Sequence, residues 1–128
     1  MARIAHFRRL EAWKEAHRLT LMVYEVTRGL PQEKRYGLAP QMRQAAVSVP
    51  ANIVEGFKRR GIREKVRFYN VAEGSIEELA SFFILCQDLG YVERTDDLRE
   101  QSEIAGRVLN GLIRSTERRR AYFILPTS

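Results

Sequence analysis

A single cysteine among 128 residues, Cys86, leaves no partner for an intrachain disulfide and no set of ligands for a multi-cysteine zinc site. Histidine is nearly as scarce. His6 and His17 are the only two, Glu15-Ala16-His17 lacks the Glu-x-x-His spacing of a di-metal bundle, and no His-Glu-x-x-His occurs. Glycine-rich phosphate loops are missing as well: Gly56 and Gly61 bracket a turn without the P-loop lysine pattern or a preceding strand. No stretch approaches the ~18 apolar residues of a membrane span, and Met1 to Arg9 lacks the apolar core of a secretory signal. These absences lead to the expectation of a cytoplasmic protein in a reducing compartment, with no catalytic residues, metal, cofactor, small-molecule substrate or membrane partner.

What the chain does have is helical periodicity. The length fits one domain over residues 1–128, without repeats, low-complexity tracts or strand patterns. From about Phe7 to Leu30, Ala12, Ala16, Leu19, Val23, Val26 and Leu30 form one stripe, and Trp13, His17, Thr20, Tyr24 and Thr27 a second beside it. His17 then reads as an interfacial or satisfied core residue. Gly29, Pro31 and Gly37 break the chain before a second helix of about 38–60, in which Pro50 predicts a kink near Ala46 to Pro50. A third helix, about 63–89, carries Phe68, Ala72, Ser75, Leu79, Phe82, Cys86 and Leu89 on one line and Tyr69, Ile76 and Phe83 on another. Cys86 on that seam reads as a packed, inert thiol. Gly90 suits the end of this helix, and Thr95 with Asp96 and Asp97 suits the start of a fourth, about 95–120, with 121–128 as a tail whose last residues, Pro126-Thr127-Ser128, are expected to fray. Four long helices joined by short turns predict an all-α, antiparallel up-down-up-down four-helix bundle.

The second helix also carries polar residues at Gln41, Ser48, Asn52 and Glu55, whose spacings of seven, four and three put them in one line. Met42, Ala45, Ala46, Val49 and Ile53 lie beside that line, so the polar side chains border a core and need partners. A structural network of Gln41, Arg43, Ser48, Asn52, Glu55, Ser75 and Glu78 is expected, with Glu55 salt-linked to Arg43 or bonded to Asn52. The rival reading is a paired-carboxylate site formed by Glu55 and Glu78. Gly74-Ser75, in mid-helix, predicts a close helix approach, by a neighbour of the same chain or of another subunit, that offsets the propensity cost of glycine.

Charge completes the picture. Lys and Arg number 22 against 16 acids, for a formal charge of +6 and a pI near 9.9. In the expected topology the start of helix one, the end of two, the start of three and the end of four share one pole. It gathers Arg3, Arg8, Arg9, Lys58, Arg59, Arg60, Arg63, Lys65, Arg67, Arg114, Arg118, Arg119 and Arg120 against Glu11, Glu55, Glu64 and Glu117. Cations near the ends of helices two and four complement the helix dipole. Arg8, Arg9, Arg63, Lys65 and Arg67 fall at helix starts, where the dipole prefers acids, and a polyanion across the pole is the physical candidate. The expected nucleic-acid contacts are Lys58, Arg59, Arg60, Arg63, Lys65, Arg67, Arg118, Arg119 and Arg120, and Phe57, Tyr69 and Tyr122 lie close enough to add stacking.

Several motifs together resemble one family. They are Phe7-x-x-Leu10-x-x-Trp13, Tyr36-Gly37-Leu38, Gln41-x-Arg43-x-Ala45-Ala46-x-Ser48, Asn52-Ile53-x-Glu55-Gly56, Ala72-Glu73-Gly74-Ser75 with Glu78-Leu79, and Leu89-Gly90-Tyr91. The chain resembles, from Phe7 to about Ile113, the four-helix-bundle proteins encoded in intervening sequences of bacterial 23S rRNA genes. It is more distantly similar to the accessory protein of diversity-generating retroelements. The resemblance implies a ring-shaped homo-oligomer of five bundles and an association with RNA, and it brings no catalytic role to Arg43, Ser48, Asn52, Glu55, Gly74, Ser75 or Glu78. Val54 stands where the family pattern commonly has alanine, and the basic run Arg118-Arg119-Arg120 lies beyond the resemblance. The expected function is therefore non-enzymatic binding of RNA or another nucleic acid through a basic pole. The alternative is a protein-interaction scaffold that touches no nucleic acid.

Overall fold

The computed structural model describes residues 6–35 and 37–124, with the side chains of all of these but 34, 35 and 120–124. Tyr36, Arg3, the Arg120 and Tyr122 side chains and residues 125–128 thus lie outside the described set. Four long helices make up the fold: α1 (Glu11–Arg28), α2 (Leu38–Lys58), α3 (Ile62–Asp88) and α4 (Asp96–Ile124). Single turns precede α1 (Phe7–Arg9) and α2 (Gln32–Arg35), and there is no strand among the described residues. Each long helix packs against two others, α2 on α1 and α3, α4 on α3 and α1. The chain is an all-α bundle.

Periodicity locates these helices to within a few residues, and the departures have physical causes. Leu10 is extended, with ψ 124°, so Phe7–Arg9 is a separate 3-10 turn folded back until Phe7 meets Trp13 edge-on at 5.2 Å. The fourth helix passes Arg120 and runs to Ile124. α3 closes as the glycine predicts: Gly90 takes φ 76°, its N–H donates to Gln87 O at 3.0 Å, and the Tyr91 N–H donates to Cys86 O at 2.9 Å. Thr95 stands before α4 with its carbonyl accepting the Arg99 N–H, but its hydroxyl donates to Gln87 Oε1 at 2.6 Å. It pins the turn to the end of α3.

The core is lined by Leu19 and Val23 of α1, Val49 of α2, Leu79 and Phe83 of α3 and Leu109 of α4, all fully buried. Each contributes about 1.5–3 kcal/mol by leaving water. On α3 the deepest line is Tyr69, Ala72, Ile76, Leu79, Phe83 and Cys86. Phe68, Ser75 and Phe82 sit at its half-buried edge, and Leu89 is exposed. Burial pushes the Cys86 thiol up from its ordinary value, and its Sγ lies 3.7 Å from Met42 Sδ, the setting of an unreactive core residue. His17 is exposed and stacked on Trp13 at 4.8 Å, so it is not a core histidine.

Pro50 does not interrupt α2, which runs unbroken from Leu38 to Lys58. Proline has no N–H to give the carbonyl four residues earlier, that of Ala46. Thr20 of α1 offers a donor there, its single hydroxyl proton shared between Ala46 O at 3.1 Å and Ala16 O at 2.9 Å. Thr20→Val keeps the shape and removes the donor. It is expected to cost about 1–3 kcal/mol, read as a lower urea midpoint, whereas Thr20→Ser should retain most of the stability.

Candidate nucleic-acid interface

Two sets of residues need placing: the polar line on α2 and the cations of the pole. Along the line, Ser48 Oγ and Ser75 Oγ are 2.8 Å apart, and Asn52 Nδ2 donates to Ser48 O at 2.8 Å and to Ser48 Oγ at 3.0 Å. These three form a satisfied polar seam between α2 and α3. Gln41 and Glu78 border an open cleft of about 430 Å³ beside it, with Gln44, Ala45, Ser48 and Ser75.

Arg43 and Glu55 are not partners. Arg43 Nε donates to the Thr27 hydroxyl at 2.8 Å and its guanidinium lies 4.9 Å from the Tyr24 ring centre, both on α1. Glu55 stands twelve residues further along α2, about 18 Å away along the axis, and pairs instead with Lys58 at 3.4 Å and Arg59 at 2.9 Å. A Glu55–Glu78 carboxylate pair is excluded in the same way. From the Ser48–Ser75 contact, Glu55 lies seven residues toward the basic end and Glu78 three residues away from it, a separation of about 15 Å along the axis.

Within the chain, the glycine expectation also changes place. Gly74 is exposed, and a Cβ there would meet nothing within 4 Å. The close approach is at Gly56, where a Cβ would stand 2.5 Å from a ring carbon of Tyr69 and 3.0 Å from the Lys65 carbonyl oxygen. Only the absence of a side chain at Gly56 lets the buried Tyr69 ring lie across α2. That contact fixes how the end of α2 meets the start of α3.

The turn between them, residues 59–61, leads directly into α3, against which α4 packs. The positive charge of Arg119 adds to burial in holding the Lys65 ammonium below its ordinary value. It partly opposes the effect of burial on the Tyr69 hydroxyl, which is pushed up to about 12. Arg119 is thus close enough to Lys65 and Tyr69 for its field to act on both.

The pole cations do not all have the same work. Lys65 Nζ donates to Phe57 O at 2.6 Å and Gly56 O at 3.3 Å, so this residue at the start of α3 closes the carbonyl end of α2. It is a helix-capping cation supplied by the next helix, and it lies 5.6 Å from the Phe57 ring centre. Arg67 is bonded to Glu64 through Nε at 3.1 Å and Nη2 at 3.2 Å. That hydrogen bond and charge, with Arg59 adding its own, hold the Glu64 carboxyl below its ordinary value. Two of the five cations that helix stability leaves unexplained thus have local partners. Arg60, Arg63, Arg118 and Arg119 are exposed and make no ion pair among the described residues, as do Arg8 and Arg9 in the N-terminal turn. Of the aromatics, Tyr69 is buried, and Phe57 is half-buried, as is Phe68, which periodicity assigns to the seam.

No metal-binding group of three or more His, Cys, Asp or Glu occurs among the described residues, and none of their helices is long and apolar enough to cross a membrane. The fold is similar to the crystal structure of a protein of unknown function from the S23 ribosomal protein family of Bacteroides thetaiotaomicron VPI-5482. The TM-score is 0.74 at 16% identity, over 80% of this chain and 97% of that one. No curated protein matches the sequence. The pattern of the 23S rRNA-intervening sequence protein family matches residues 8–111, most of the chain, and the chain belongs to that family.

Proposed function

We propose that this protein binds RNA or another nucleic acid, without catalysis, through phosphate contacts at its basic pole. The observation that supports the reading is that Arg60 and Arg63, at the α2–α3 turn, and Arg118 and Arg119, near the end of α4, are exposed without an ion pair among the described residues, while the Arg119 charge acts on Lys65 and Tyr69 of α3. Like charges held together without counter-carboxylates are costly unless a polyanion covers them, and each counterion released from such a ligand favours binding.

The reading rests on antiparallel threading, which the order of side-chain contacts supports. Thr20 and Thr27 of α1 meet Ala46 and Arg43 of α2, Met42 and Ser48 of α2 meet Cys86 and Ser75 of α3, and Glu73 and Gln87 of α3 meet Asn110 of α4 and Thr95 just before it. In every pair the numbers rise on one helix as they fall on the other.

Self-association into a ring, with five copies as the arrangement the family resemblance implies, is part of the proposal. Exposed apolar side chains such as Val47, Val71, Ile84 and Leu85 support it, since they offer surface for a second copy to cover. Several weak basic poles on one assembly would then bind a single strand with avidity. The setting is cytoplasmic, in keeping with the single buried thiol.

Salt separates this function from a protein-only scaffold. Affinity for single-stranded RNA is expected to fall with a slope of log K against log salt near −0.7 for each phosphate held, so roughly −3 for four contacts. A flat dependence would leave only the scaffold reading.

A further inference from the structure

The basic pole carries a second kind of contact surface, whose role rests on the function proposed above. Phe68 is half-buried on α3, and the guanidinium carbons of Arg59 and Arg67 lie 4.7 and 4.8 Å from its ring centre. Each guanidinium is held by a carboxylate as well, Arg59 by Glu55 at 2.9 Å and Arg67 by Glu64 at 3.1 and 3.2 Å. A guanidinium fixed by both a ring and a carboxylate has little rotamer freedom left to lose when a ligand lands on it. Its charge, in contrast, is already matched, so a phosphate gains less from it than from an unpaired arginine. The Arg59 and Arg67 side chains remain 41% and 63% exposed, which leaves flat surface open to solvent.

Flat guanidinium faces, preorganised by the phenyl ring behind them, suit the π-faces of nucleobases, which are accessible only where bases are unpaired. We infer that the pole is divided in two: Arg59, Phe68 and Arg67 form a stacking platform for unpaired bases, while Arg60, Arg63, Arg118 and Arg119 hold the phosphates. The ligand class is then a single strand or an unpaired loop, in preference to a duplex, whose base faces are covered by their neighbours. The platform lies on α3 and the end of α2, beside the turn that carries Arg60. A strand with its backbone along the turn therefore has bases within reach of the ring.

Exchanging arginine for lysine separates the two roles, because it keeps the charge and removes the planar face. The double variant Arg59→Lys, Arg67→Lys is expected to bind a short oligoadenylate about tenfold more weakly, with its salt slope unchanged. The same variant should bind inorganic polyphosphate, a polyanion with no bases, as well as the unaltered protein does. Phe68→Leu, which keeps an apolar contact but no ring, should reproduce the selective loss. Arg60→Gln with Arg63→Gln should instead weaken both probes and flatten both salt slopes. Unchanged oligoadenylate binding by the Arg59→Lys, Arg67→Lys protein overturns the platform while leaving the phosphate-binding pole in place, and so does an equal loss for polyphosphate. If the unaltered protein binds neither probe, the basic-pole function falls, and the platform with it.

Discussion

Reversing Arg60, Arg63, Arg118 and Arg119 to Glu together is expected to lower the affinity for single-stranded RNA by more than about 100-fold at moderate salt, with helix content unchanged. Losing four phosphate contacts removes roughly 2.8 from the salt slope, and reversal adds repulsion where attraction had been. These positions are exposed and have no ion pair among the described residues, so folding loses little with them. The matched control reverses Arg18, Arg94, Arg99 and Arg107, four exposed arginines elsewhere on the surface, with the same change in net charge. Fluorescence anisotropy with a labelled oligoribonucleotide reads both. Equal losses in the two proteins would show that only total charge matters and that the pole is not a site.

Gly56→Val is expected to have the largest effect on stability. The new side chain must enter space in which even its Cβ stands 2.5 and 2.8 Å from the Tyr69 ring and 3.0 Å from the Lys65 carbonyl oxygen. Tyr69 is 2% exposed and cannot swing into solvent, and the carbonyl is backbone, so α2 and α3 must part. Overpacking of this kind costs about 1–3 kcal/mol and more for a branched side chain, which outweighs the gain of under ~1 kcal/mol in helix propensity over glycine. Gly74→Ala supplies the opposite case, because nothing lies within 4 Å of its Cβ. There the propensity gain of up to ~1 kcal/mol stands alone, and the urea midpoint should rise. A Gly56→Val protein as stable as the parent would mean that the α2–α3 contact is not tightly packed.

The contrast between these two glycines shows what can be read from residues alone. Periodicity says which face of a helix is apolar, and here it locates all four long helices and most of the core, Leu19, Val49, Leu79 and Leu109 among them. It does not say which residue of one helix stands level with which residue of the next. Gly74, in mid-helix beside a serine, has the local pattern of a close approach, but register puts Gly56 against Tyr69 and leaves Gly74 in solvent. Charge pairs Arg43 with Glu55 on the same helix, yet their separation along α2 exceeds any side chain's reach, and Thr27 of α1 is the group at the right height.

The same gap runs through the candidate site. Sequence and topology gather the cations at one pole but cannot divide them. Lys65 is out of place at a helix start until the α2–α3 turn is made, because its partner carbonyls, Gly56 and Phe57, belong to the preceding helix and come close only then. The seven-residue line assigns Phe68 to the core. It lies at the edge of that line, near the end of the bundle, where the packing runs out and two arginines cover the ring instead. A scan for arginine within reach of an aromatic on a helix would find Arg67 beside Phe68, but not Arg59.

Because the carbonyl of Ala46 in α2 meets a hydroxyl that belongs to α1, α2 is not a finished hydrogen-bonded object without α1. When α1 lifts away, the carbonyl beneath Pro50 opens to water and the turn around it loosens in the same event. The amide protons of α1 near Thr20 and those of α2 flanking Pro50 are therefore expected to reach solvent through one shared opening, read as matching protection in hydrogen exchange.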